Sequence, residues 1–484
     1  MYNSLLDIAI TILAYSMLYP LQKNDFMKYN KNIALHIICR SKPLRFRHYF
    51  FGHFVFFFSA ILSLIAPLRA QDNVTETEDL SLNHIIEQVI RHNDKIIAAR
   101  FMEQAAQAKI GPAAAWDDPM LMIGVNNLPP SFDFKMDDMT MKMIGLRQNI
   151  PYSGYKGLQK KAARFDVETA KVDRERITLD LIAAAKIAHY NLYSKQQALN
   201  ELIRQKDLME QLTASALSKL KTNQMGQDEY LNAQSNLWKL ESEILSATQE
   251  VDEAKYNLNA LRGASVEDMI PQLPKPEFST IPVSAAEWIN KALANAPEPR
   301  RLYSQSQSYL FSSRAADRMS WPMLALSAEY GFREGVGMNG PRDNMISFRA
   351  EMSLPFFFGR QQKQMARSMK AMSQSIDAEI IQAEREIRSR VTGMYHRAER
   401  LTESLKIYHD RIIPTSEEAF KSAYAGYTVN KIALTTLINY AVTLIQNRVT
   451  RYQLEFELGR TIAEAERYIT SPDELIIVGA ENLK

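Results

Sequence analysis

Side chains that could ligate a metal or carry out catalysis are few and scattered in this sequence. Five histidines follow residue 70, and none has metal-ligand spacing to another histidine or to a carboxylate motif: His84, His92, His189, His396 and His409. The only cysteine is Cys39, so the chain beyond residue 70 has no thiol for a disulfide, a metal site or a nucleophile. The sequence also lacks a glycine-rich phosphate loop and the common hydrolase motifs. We therefore expect no enzyme and assign no catalytic, cofactor-binding or metal-binding residue.

Methionine is the one residue type whose clustering could support metal chemistry. Six methionines fall in one short stretch: Met120, Met122, Met136, Met139, Met141 and Met143. Thioether groups suit the soft cations Cu(I) and Ag(I). Methionine is also a flexible filler of irregular apolar surfaces, and the sequence favours this simpler interpretation.

Charge is distributed unevenly between the first 70 residues and the rest. Residues 1–70 carry a net charge of +6, and since the whole chain carries +3, the remainder carries −3. A nucleic-acid-binding protein keeps its basic excess in the folded body, so we expect no nucleic-acid partner.

The first 70 residues have the pattern of a leader that contains an export signal. Residues 45–70 combine a charged start, a long apolar run and the small residue Ala70 before a polar stretch. A membrane anchor helix is the alternative, for which the apolar run is near the lower length limit. We predict an unlipidated mature chain that begins near Gln71. N-terminal sequencing of the membrane-extracted protein tests this, and an acylated start at Cys39 would contradict it.

Apolar and polar residues alternate in four segments, as is typical of β-strands. The segments are about 119–129, 139–150, 322–334 and 345–355. In the last of them, apolar residues from Ile346 to Leu354 alternate with polar residues from Ser347 to Ser353. Such alternation over about 10 residues indicates barrel strands with an apolar outer face and a polar lumen, the alternative being a half-buried strand of a soluble sheet. Four strands cannot close a lumen, whereas three copies of the chain would supply twelve.

Long helices are predicted for most of the remaining chain. They span about 82–115, 157–221, 227–262, 285–318, 360–425 and 430–470. The apolar stripe from Met365 to Ile412 repeats about every 3.6 residues, which favours a nearly unsupercoiled helix, as in a stave of a wide cylinder. An ordinary antiparallel coiled coil remains the alternative. A helix of about 65 residues would be about 100 Å long.

Three landmarks of the first half recur in the second half at an offset of about 200 residues. Asp118–Leu121 is echoed by Trp321–Leu324, Gln148–Tyr152 by Met352–Phe356, and Asn223–Met225 by Asn430–Ile432. The repetition predicts a duplicated unit of helix, strand, strand, long helix and helix. We place the two copies at 80–269 and 285–470, with a proline-rich linker at 270–284 and a tail at 471–484.

Glycine, proline and asparagine mark two kinds of turn in each unit. At the strand-to-helix corners, Pro151 and Pro355 stop the strands, while Gly154 and Gly359 let the chain swing into the long helix. At the helical-hairpin tips, a tight reversal is expected from Asn223 and Gly226 in the first unit, and from Gly426 and Asn430 in the second.

The duplicated plan, the corners and the tip segment Tyr427–Ile432 resemble the TolC family of outer-membrane efflux proteins, and most closely its heavy-metal branch, the CusC/CzcC-like proteins. The resemblance covers about residues 80–470. The family pattern at the tip is Tyr-x-x-Gly-x-Ile, and asparagine replaces glycine here, a mild departure because asparagine tolerates the left-handed conformation. The resemblance implies a mainly α fold with a transmembrane β-barrel: a trimeric 12-stranded barrel and a periplasmic α-helical tunnel.

The resemblance also implies a function and partners. It implies a passive outer-membrane exit duct, coupled through a periplasmic adaptor (membrane fusion) protein to an inner-membrane pump of the RND type, with heavy-metal cations as cargo. The partners would be two further copies of the chain, the adaptor, the pump and outer-membrane lipid, without a cofactor. The residues expected to form the adaptor-docking ring and the constriction of the tunnel are Asn223, Gly226, Asp228, Glu229, Gly426, Tyr427 and Asn430.

Two alternatives stay open. Asp228 and Glu229 could form a cation-selective ring, or simply stabilise the start of the following helix. The chain could also be a periplasmic adaptor, with one hairpin flanked by compact β-domains, or a structural coiled-coil envelope protein without a pore, which would lack the four alternating strands.

Overall fold

The computed structural model describes residues 81–471, apart from 280, 282–283, 335, 338–339 and 342. The predicted leader and nearly all of the predicted tail lie outside the described residues. The helices are α1 (Leu82–His92), α2 (Asp94–Ala114), α3 (Tyr155–Lys221), α4 (Gln227–Arg262), α5 (Ala285–Asn295), α6 (Pro297–Arg318), α7 (Gln362–Ile407), α8 (Ile413–Thr428) and α9 (Leu434–Ile469). The strands are β1 (Met120–Asn126), β2 (Met141–Ile150), β3 (Leu324–Phe332), β4 (Val336–Gly337), β5 (Gly340–Pro341) and β6 (Met345–Met352). In the part of the chain described, no helix is both long and apolar enough to cross a membrane.

Two segments that the sequence predicted as single helices are each split in two. Between α1 and α2, Asn93 is extended, and its side-chain oxygen accepts a hydrogen bond from the Lys95 amide at 3.0 Å, which caps α2. Between α5 and α6, Pro297 forces the break, because the residue before a proline is driven out of the helical conformation.

The second long helix is interrupted by a π-helical turn, Tyr408–Ile412, that joins α7 to α8. The Ile413 amide there bonds back to the Tyr408 carbonyl, one residue farther than in an α-helix. Pro414 follows at once, and its missing N–H and bulky ring disfavour the regular α-helical bonds of the preceding turn. The helix is therefore locally widened at this point.

One antiparallel sheet has the strand order β1-β2-β3-β6. A separate short hairpin, β4-β5, lies in the loop between β3 and β6. One sheet face, called the apolar face below, carries large exposed side chains, including Ile123, Leu146, Leu326, Ile346 and Phe348. The opposite face, called the polar face below, carries Arg147, Ser327, Glu329, Arg349 and Glu351 together with Met120, Met122, Met141, Met143 and Met345.

The apolar face of the sheet is far more exposed than it would be in a soluble protein. Phe348 on the apolar face is 82% exposed, whereas Glu329 on the polar face is only 7% exposed. An antiparallel sheet in water normally turns its polar face to solvent and buries its apolar face. The alternation predicted from sequence is therefore present, and the apolar side chains are exposed.

The helices pack in a fixed lateral order. Helices α2 and α4 pack against α3, α3 packs against α6 and α9, and α7 packs against α6 and α9. Helix α8 packs against α9. Helix α4 also contacts α9, so the hairpins α3–α4 and α8–α9 pack against each other.

The segment predicted as a proline-rich linker is packed in its first part. Ile270 and Leu273 are buried in the hydrophobic cluster formed with α1, α3, α4 and α9. The side-chain amide of Gln196 in α3 donates to the Pro271 carbonyl at 3.1 Å and accepts from the Leu273 amide at 2.9 Å. This part of the linker is therefore anchored to the long helix.

Candidate functional site

The first hairpin turn, between α3 and α4, is closed by backbone hydrogen bonds around Asn223. Asn223 is left-handed, with φ at 52°. The Gln224 amide bonds to the Lys219 carbonyl at 2.8 Å, and the Asn223 amide bonds to the Leu220 carbonyl at 3.1 Å. These two bonds define a Schellman motif, which satisfies the last carbonyls of a helix.

The second hairpin turn, between α8 and α9, has the same motif. Asn430 is left-handed, with φ at 58°. The Lys431 amide bonds to the Gly426 carbonyl at 2.8 Å, and the Asn430 amide bonds to the Tyr427 carbonyl at 3.1 Å. Both asparagines thus occupy the conformation for which glycine is usually required.

The two glycines predicted for the tips have different roles. Gly426 lies in the last turn of α8, and a Cβ built on it would lie 2.7 Å from Cδ1 of Ile432. Gly226 precedes α4 in an extended conformation, and a Cβ there would meet only the flexible side chain of Asp228. The close packing of Ile432 against residue 426 therefore favours glycine there, whereas position 226 has no comparable constraint.

Tyr427 is part of the hydrophobic cluster that holds the two hairpins together and is only 5% exposed. Its hydroxyl is buried without a hydrogen-bond partner. The Lys219 ammonium lies 4.1 Å from the centroid of its ring and donates to Asn430 Oδ1 at 2.8 Å. Tyr427 is therefore a core residue of the tip and is not part of its exposed surface. Sequence reasoning missed Lys219, because nothing local links it to residues more than 200 positions away.

Asp228 and Glu229 lie in the first turn of α4, where the aligned peptide dipoles favour negative charge. Asp228 is exposed and Glu229 is half-buried. Helix α4 has no side-chain cap at Gly226. The position is compatible with both interpretations of these carboxylates, because an exposed acid at a helix start can also face an aqueous passage.

The two strand-to-helix corners begin in the same way and then diverge. The Ile150 carbonyl accepts from the Tyr152 amide at 2.9 Å, and the Leu354 carbonyl accepts from the Phe356 amide at 2.9 Å, so the chain turns sharply at Pro151 and at Pro355.

The corner glycines account for the divergence. Gly154 precedes α3 with φ at 76°, as the sequence led us to expect. The φ angle of Gly359 is not positive, and a Cβ built on this residue would meet no atom within 4 Å. Neither the backbone conformation nor a close contact therefore requires glycine at 359, contrary to the expectation from sequence.

Ion pairs cross the polar face of the sheet. The Arg349 guanidinium lies 3.2 Å from the buried Glu329 carboxylate, and Arg147 lies 2.8 Å from Glu351. Arg147 and Glu351 belong to strands separated by β3, so this pair spans the sheet. Among the described residues, no group of three or more histidine, cysteine or acidic side chains is placed to hold a metal ion.

One buried histidine in α3 has no hydrogen-bond partner. His189 is 1% exposed, and neither ring nitrogen is bonded. Burial lowers the pKa of His189 to about 4, because the charged imidazolium is disfavoured away from water. The ring packs edge-on against Tyr190 and is a neutral core residue at physiological pH.

No family model and no curated protein matches this sequence. Solved structures do match it over most of its length. The outer-membrane channel OprN superposes with a TM-score of 0.68 at 17% identity, covering 80% of this chain and 89% of that chain. CusC superposes with a TM-score of 0.67 at 14% identity, covering 81% and 93%. The CmeC outer-membrane channel of Campylobacter jejuni gives 0.65 at 14% identity, covering 83% and 89%.

These structural neighbours are outer-membrane efflux channels of the TolC family. The chain therefore has their fold, mainly helical with an antiparallel sheet, and the fold expected from the sequence resemblance is confirmed to that extent.

Proposed function

We propose that this protein is the outer-membrane channel of a tripartite efflux system, a passive exit duct without catalytic activity. The observation that carries the proposal is the exposed apolar face of the sheet, on which Phe348 and Ile346 are 82% and 64% exposed. A continuous apolar face of this kind calls for an apolar solvent or a partner. Outer-membrane lipid on that face and water on the polar face satisfy both sides of the sheet.

The free edges of the sheet support assembly into a ring. Among the described residues, β1 pairs only with β2, and β6 pairs only with β3. Because the four strands alternate in direction, β6 of one copy can join β1 of the next in antiparallel fashion. Such a head-to-tail contact removes the exposed edges when the ring closes. Three copies give the twelve strands of a trimeric barrel.

An exposed apolar seam on α4 supports the same arrangement of copies. Leu231, Trp238 and Leu245 recur every seven residues and are 53%, 63% and 74% exposed. A seven-residue repeat of this kind is the seam that a partner helix covers in a left-handed coiled coil. Helix α4 already packs its other face on α3. We infer that a helix of the neighbouring copy covers the seam in the periplasmic tunnel.

The shared geometry of the two hairpin turns supports a duplicated unit and a docking role for the tips. Both turns place asparagine in the left-handed position of a Schellman motif. A trimer would present six such turns at the end of the tunnel away from the strands, as a ring for a periplasmic adaptor. Coupling to an inner-membrane pump of the RND type and transport of heavy-metal cations are proposed from the resemblance to the CusC-like branch.

The adaptor alternative fits the chain less well. It predicted one helical hairpin flanked by compact β-domains. The described residues instead contain the hairpins α3–α4 and α8–α9 and one four-stranded sheet. The poreless coiled-coil alternative predicted that alternating strands would be missing, and four are present.

Native mass measurement and conductance test the proposal. The detergent-extracted protein should run as a trimer and conduct ions in planar bilayers. Phe348→Arg should impair membrane insertion, since a charge on a lipid-facing strand costs about 2–4 kcal/mol at mid-membrane. Ser347→Arg, on the polar face of the same strand, is the matched control and should insert. A stable monomer or dimer with no larger species in mild detergent would overturn the trimeric barrel.

A further inference from the structure

The corner at which β6 leads into α7 carries three consecutive phenylalanines. Phe356 and Phe357 are 79% and 73% exposed. Backbone hydrogen bonds fold the chain tightly here: the Phe358 amide bonds to the Pro355 carbonyl at 3.3 Å, and the Arg360 amide bonds to the Phe357 carbonyl at 3.0 Å. Two large rings therefore project from a hydrogen-bonded turn just after the end of β6.

Basic side chains are concentrated around this corner. Residues 311–323 and 353–367 contain one acid, Asp317, and together have a net charge of +4. Their five basic residues are all exposed: Arg314, Arg318, Arg360, Lys363 and Arg367. The chain beyond residue 70 has a net charge of −3, so this local excess is opposite in sign to the charge of that part of the chain as a whole.

The two basic segments lie side by side. Strand β3 pairs with β6, and just outside the sheet the Ser353 amide bonds to the Met323 carbonyl at 2.9 Å. Between the helices, Ser313 Oγ of α6 donates to the Ala366 carbonyl of α7 at 2.8 Å. The five basic residues and the three phenylalanines therefore form one patch, called the basic corner below.

The basic corner is not neutralised within the described part of the chain. There, none of its five basic side chains forms an ion pair with a carboxylate. Arg318 instead lies 5.0 Å from the ring centroid of Trp321, and Lys363 Nζ lies 5.1 Å from that of Phe358. Helix α7 has no acid in its first turn, where the aligned peptide dipoles disfavour Lys363. These cations do not stabilise the helix start, and a bound anion would compensate their charge.

The first strand-to-helix corner provides an internal comparison. It also exposes an aromatic residue, Tyr152. Its cation Lys156, however, lies 3.7 Å from Asp117, and Asp118 is a further exposed acid there. Exposed aromatic residues are thus common to both corners, whereas an excess of positive charge is specific to the second.

Apolar, aromatic and basic groups follow one another in the order of the layers of a lipid leaflet. The apolar face continues to the exposed Leu354, then come Phe356 and Phe357, and then Arg360 and Lys363. Aromatic rings are favoured at the level of the lipid headgroups, and basic residues near a membrane surface attract anionic lipids. The order therefore matches acyl chains, glycerol region and phosphate.

We propose that the basic corner binds the phosphate of an anionic phospholipid, such as phosphatidylglycerol, in the leaflet on the helical side of the sheet. Arg318, Arg360 and Lys363 hold the phosphate, and Phe356 and Phe357 contact the glycerol region. The site rests on the proposed function, because it requires the apolar face of the sheet to lie in a bilayer.

Quenching of tryptophan fluorescence by brominated lipids tests the site, since Trp321 lies against Arg318. The full protein is reconstituted in phosphatidylcholine bilayers that contain a minor fraction of brominated phosphatidylglycerol or of brominated phosphatidylethanolamine. The apparent affinity for phosphatidylglycerol should be higher by at least about fivefold, the factor expected from one surface cation. Trp321→Phe should remove the additional quenching. The preference should disappear in the triple variant Arg318→Gln, Arg360→Gln and Lys363→Gln.

A matched variant removes three exposed cations farther along α7, the nearest of them about 10 Å beyond Lys363. It should keep the lipid preference, and it carries Lys370→Gln, Arg385→Gln and Arg388→Gln. Equal quenching by the two brominated lipids in the unaltered protein would overturn the site, as would a preference that survives in the first triple variant.

Two further measurements distinguish the ways in which the site can fail. If the unaltered protein shows no lipid preference and the first triple variant weakens the trimer, the basic corner instead faces Asp117 and Asp118 of a neighbouring copy. A conducting pore without a lipid preference would refute the site and leave the channel standing. No quenching even by brominated phosphatidylcholine would show that the sheet lies outside the bilayer and would refute the channel and the site together.

Discussion

Lys219 of α3 and Asn430 of the second hairpin turn are joined by a hydrogen bond of 2.8 Å from the lysine Nζ to the asparagine Oδ1. The same ammonium lies over the ring of Tyr427 at 4.1 Å. The side chain of Lys219, in the first half of the chain, thus holds the second hairpin turn in place. The left-handed backbone of Asn430 allows the chain to reverse in that turn. The two tips are therefore one packed unit.

Asn430 should tolerate glycine better than a β-branched residue. Asn430→Gly loses the bond to Lys219 and keeps the left-handed conformation, whereas Asn430→Val also has to bear about 1–2 kcal/mol of backbone strain. Thermal unfolding and limited proteolysis at the tip of the trimer should rank the proteins as unaltered, Gly, Val. Equal susceptibility of the two variants would show that the left-handed turn is not under strain.

Gly426→Leu should abolish efflux while trimer formation and membrane insertion remain intact, because any side chain at 426 collides with Ile432 and displaces the turn. Asn430→Trp should act in the same way. Gly393→Ala in α7, where a Cβ would meet nothing within 4 Å, is the matched control and should keep efflux. Unimpaired efflux and adaptor cross-linking in the tip variants would place the docking surface elsewhere on the tunnel.

Asp228→Asn distinguishes the two roles of the acidic pair at the start of α4. If Asp228 and Glu229 form a ring in the trimer, the cation selectivity of single channels in planar bilayers should fall, because the substitution removes charge without changing shape. If they only stabilise the helix start, selectivity should be unchanged and stability should fall by about 0.3–1 kcal/mol. Recording both reversal potentials and thermal unfolding decides between them.

His189 should make the fold less stable as the pH falls from 6.5 towards 4. The folded-state pKa of about 4 lies below the ordinary value of 6.5, so in this window the unfolded chain takes up a proton that the folded chain does not. The stabilising difference is fully present above pH 6.5 and is lost on acidification, by about 3 kcal/mol per chain.

His189→Leu should reduce this part of the pH dependence. Carboxylates also titrate in this range, so the informative quantity is the difference between the unfolding curves of variant and unaltered protein at pH 7 and at pH 4.5. An identical pH dependence for both proteins would show that the imidazole is protonated in the folded state.

Arg448→Met should destabilise the contact between α3 and α9. Arg448 lies 3.2 Å from Glu201, whose side chain is 5% exposed, and 2.6 Å from Glu417. Removing the arginine leaves the buried Glu201 carboxylate with Arg204 as its remaining ion-pair partner in the described part of the chain, at a cost of about 3 kcal/mol. Lys421→Met breaks an exposed pair with Glu418 and should change stability by less than about 1 kcal/mol. Similar losses of stability in both variants would show that the burial of Glu201 does not determine the cost.

Local sequence patterns were sufficient to predict the turns and the alternation in the strands. They did not predict where the long helices are interrupted. Asn223 and Asn430 could be identified because few residues accept the left-handed conformation. The break at Asn93 could not, because its reason lies partly in a distant contact, the bond from Asn93 Nδ2 to the Leu261 carbonyl at 2.9 Å. The apolar stripe on α7 was likewise only partly a guide to the core, since Met365 and Met372 are exposed while Ser373 is buried.

The amino-acid sequence by itself determined conformations that depend on neighbours in the chain: the period-two strands, the long helices, and the turns at Pro151, Pro355 and the two asparagines. The tertiary structure alone decided that Tyr427 is buried beneath Lys219 and that Met345 shares a row with Met143. These relations join residues about 200 positions apart, and they arise from strand register and helix packing, which minimise free energy over the whole fold and leave no periodic trace along the chain.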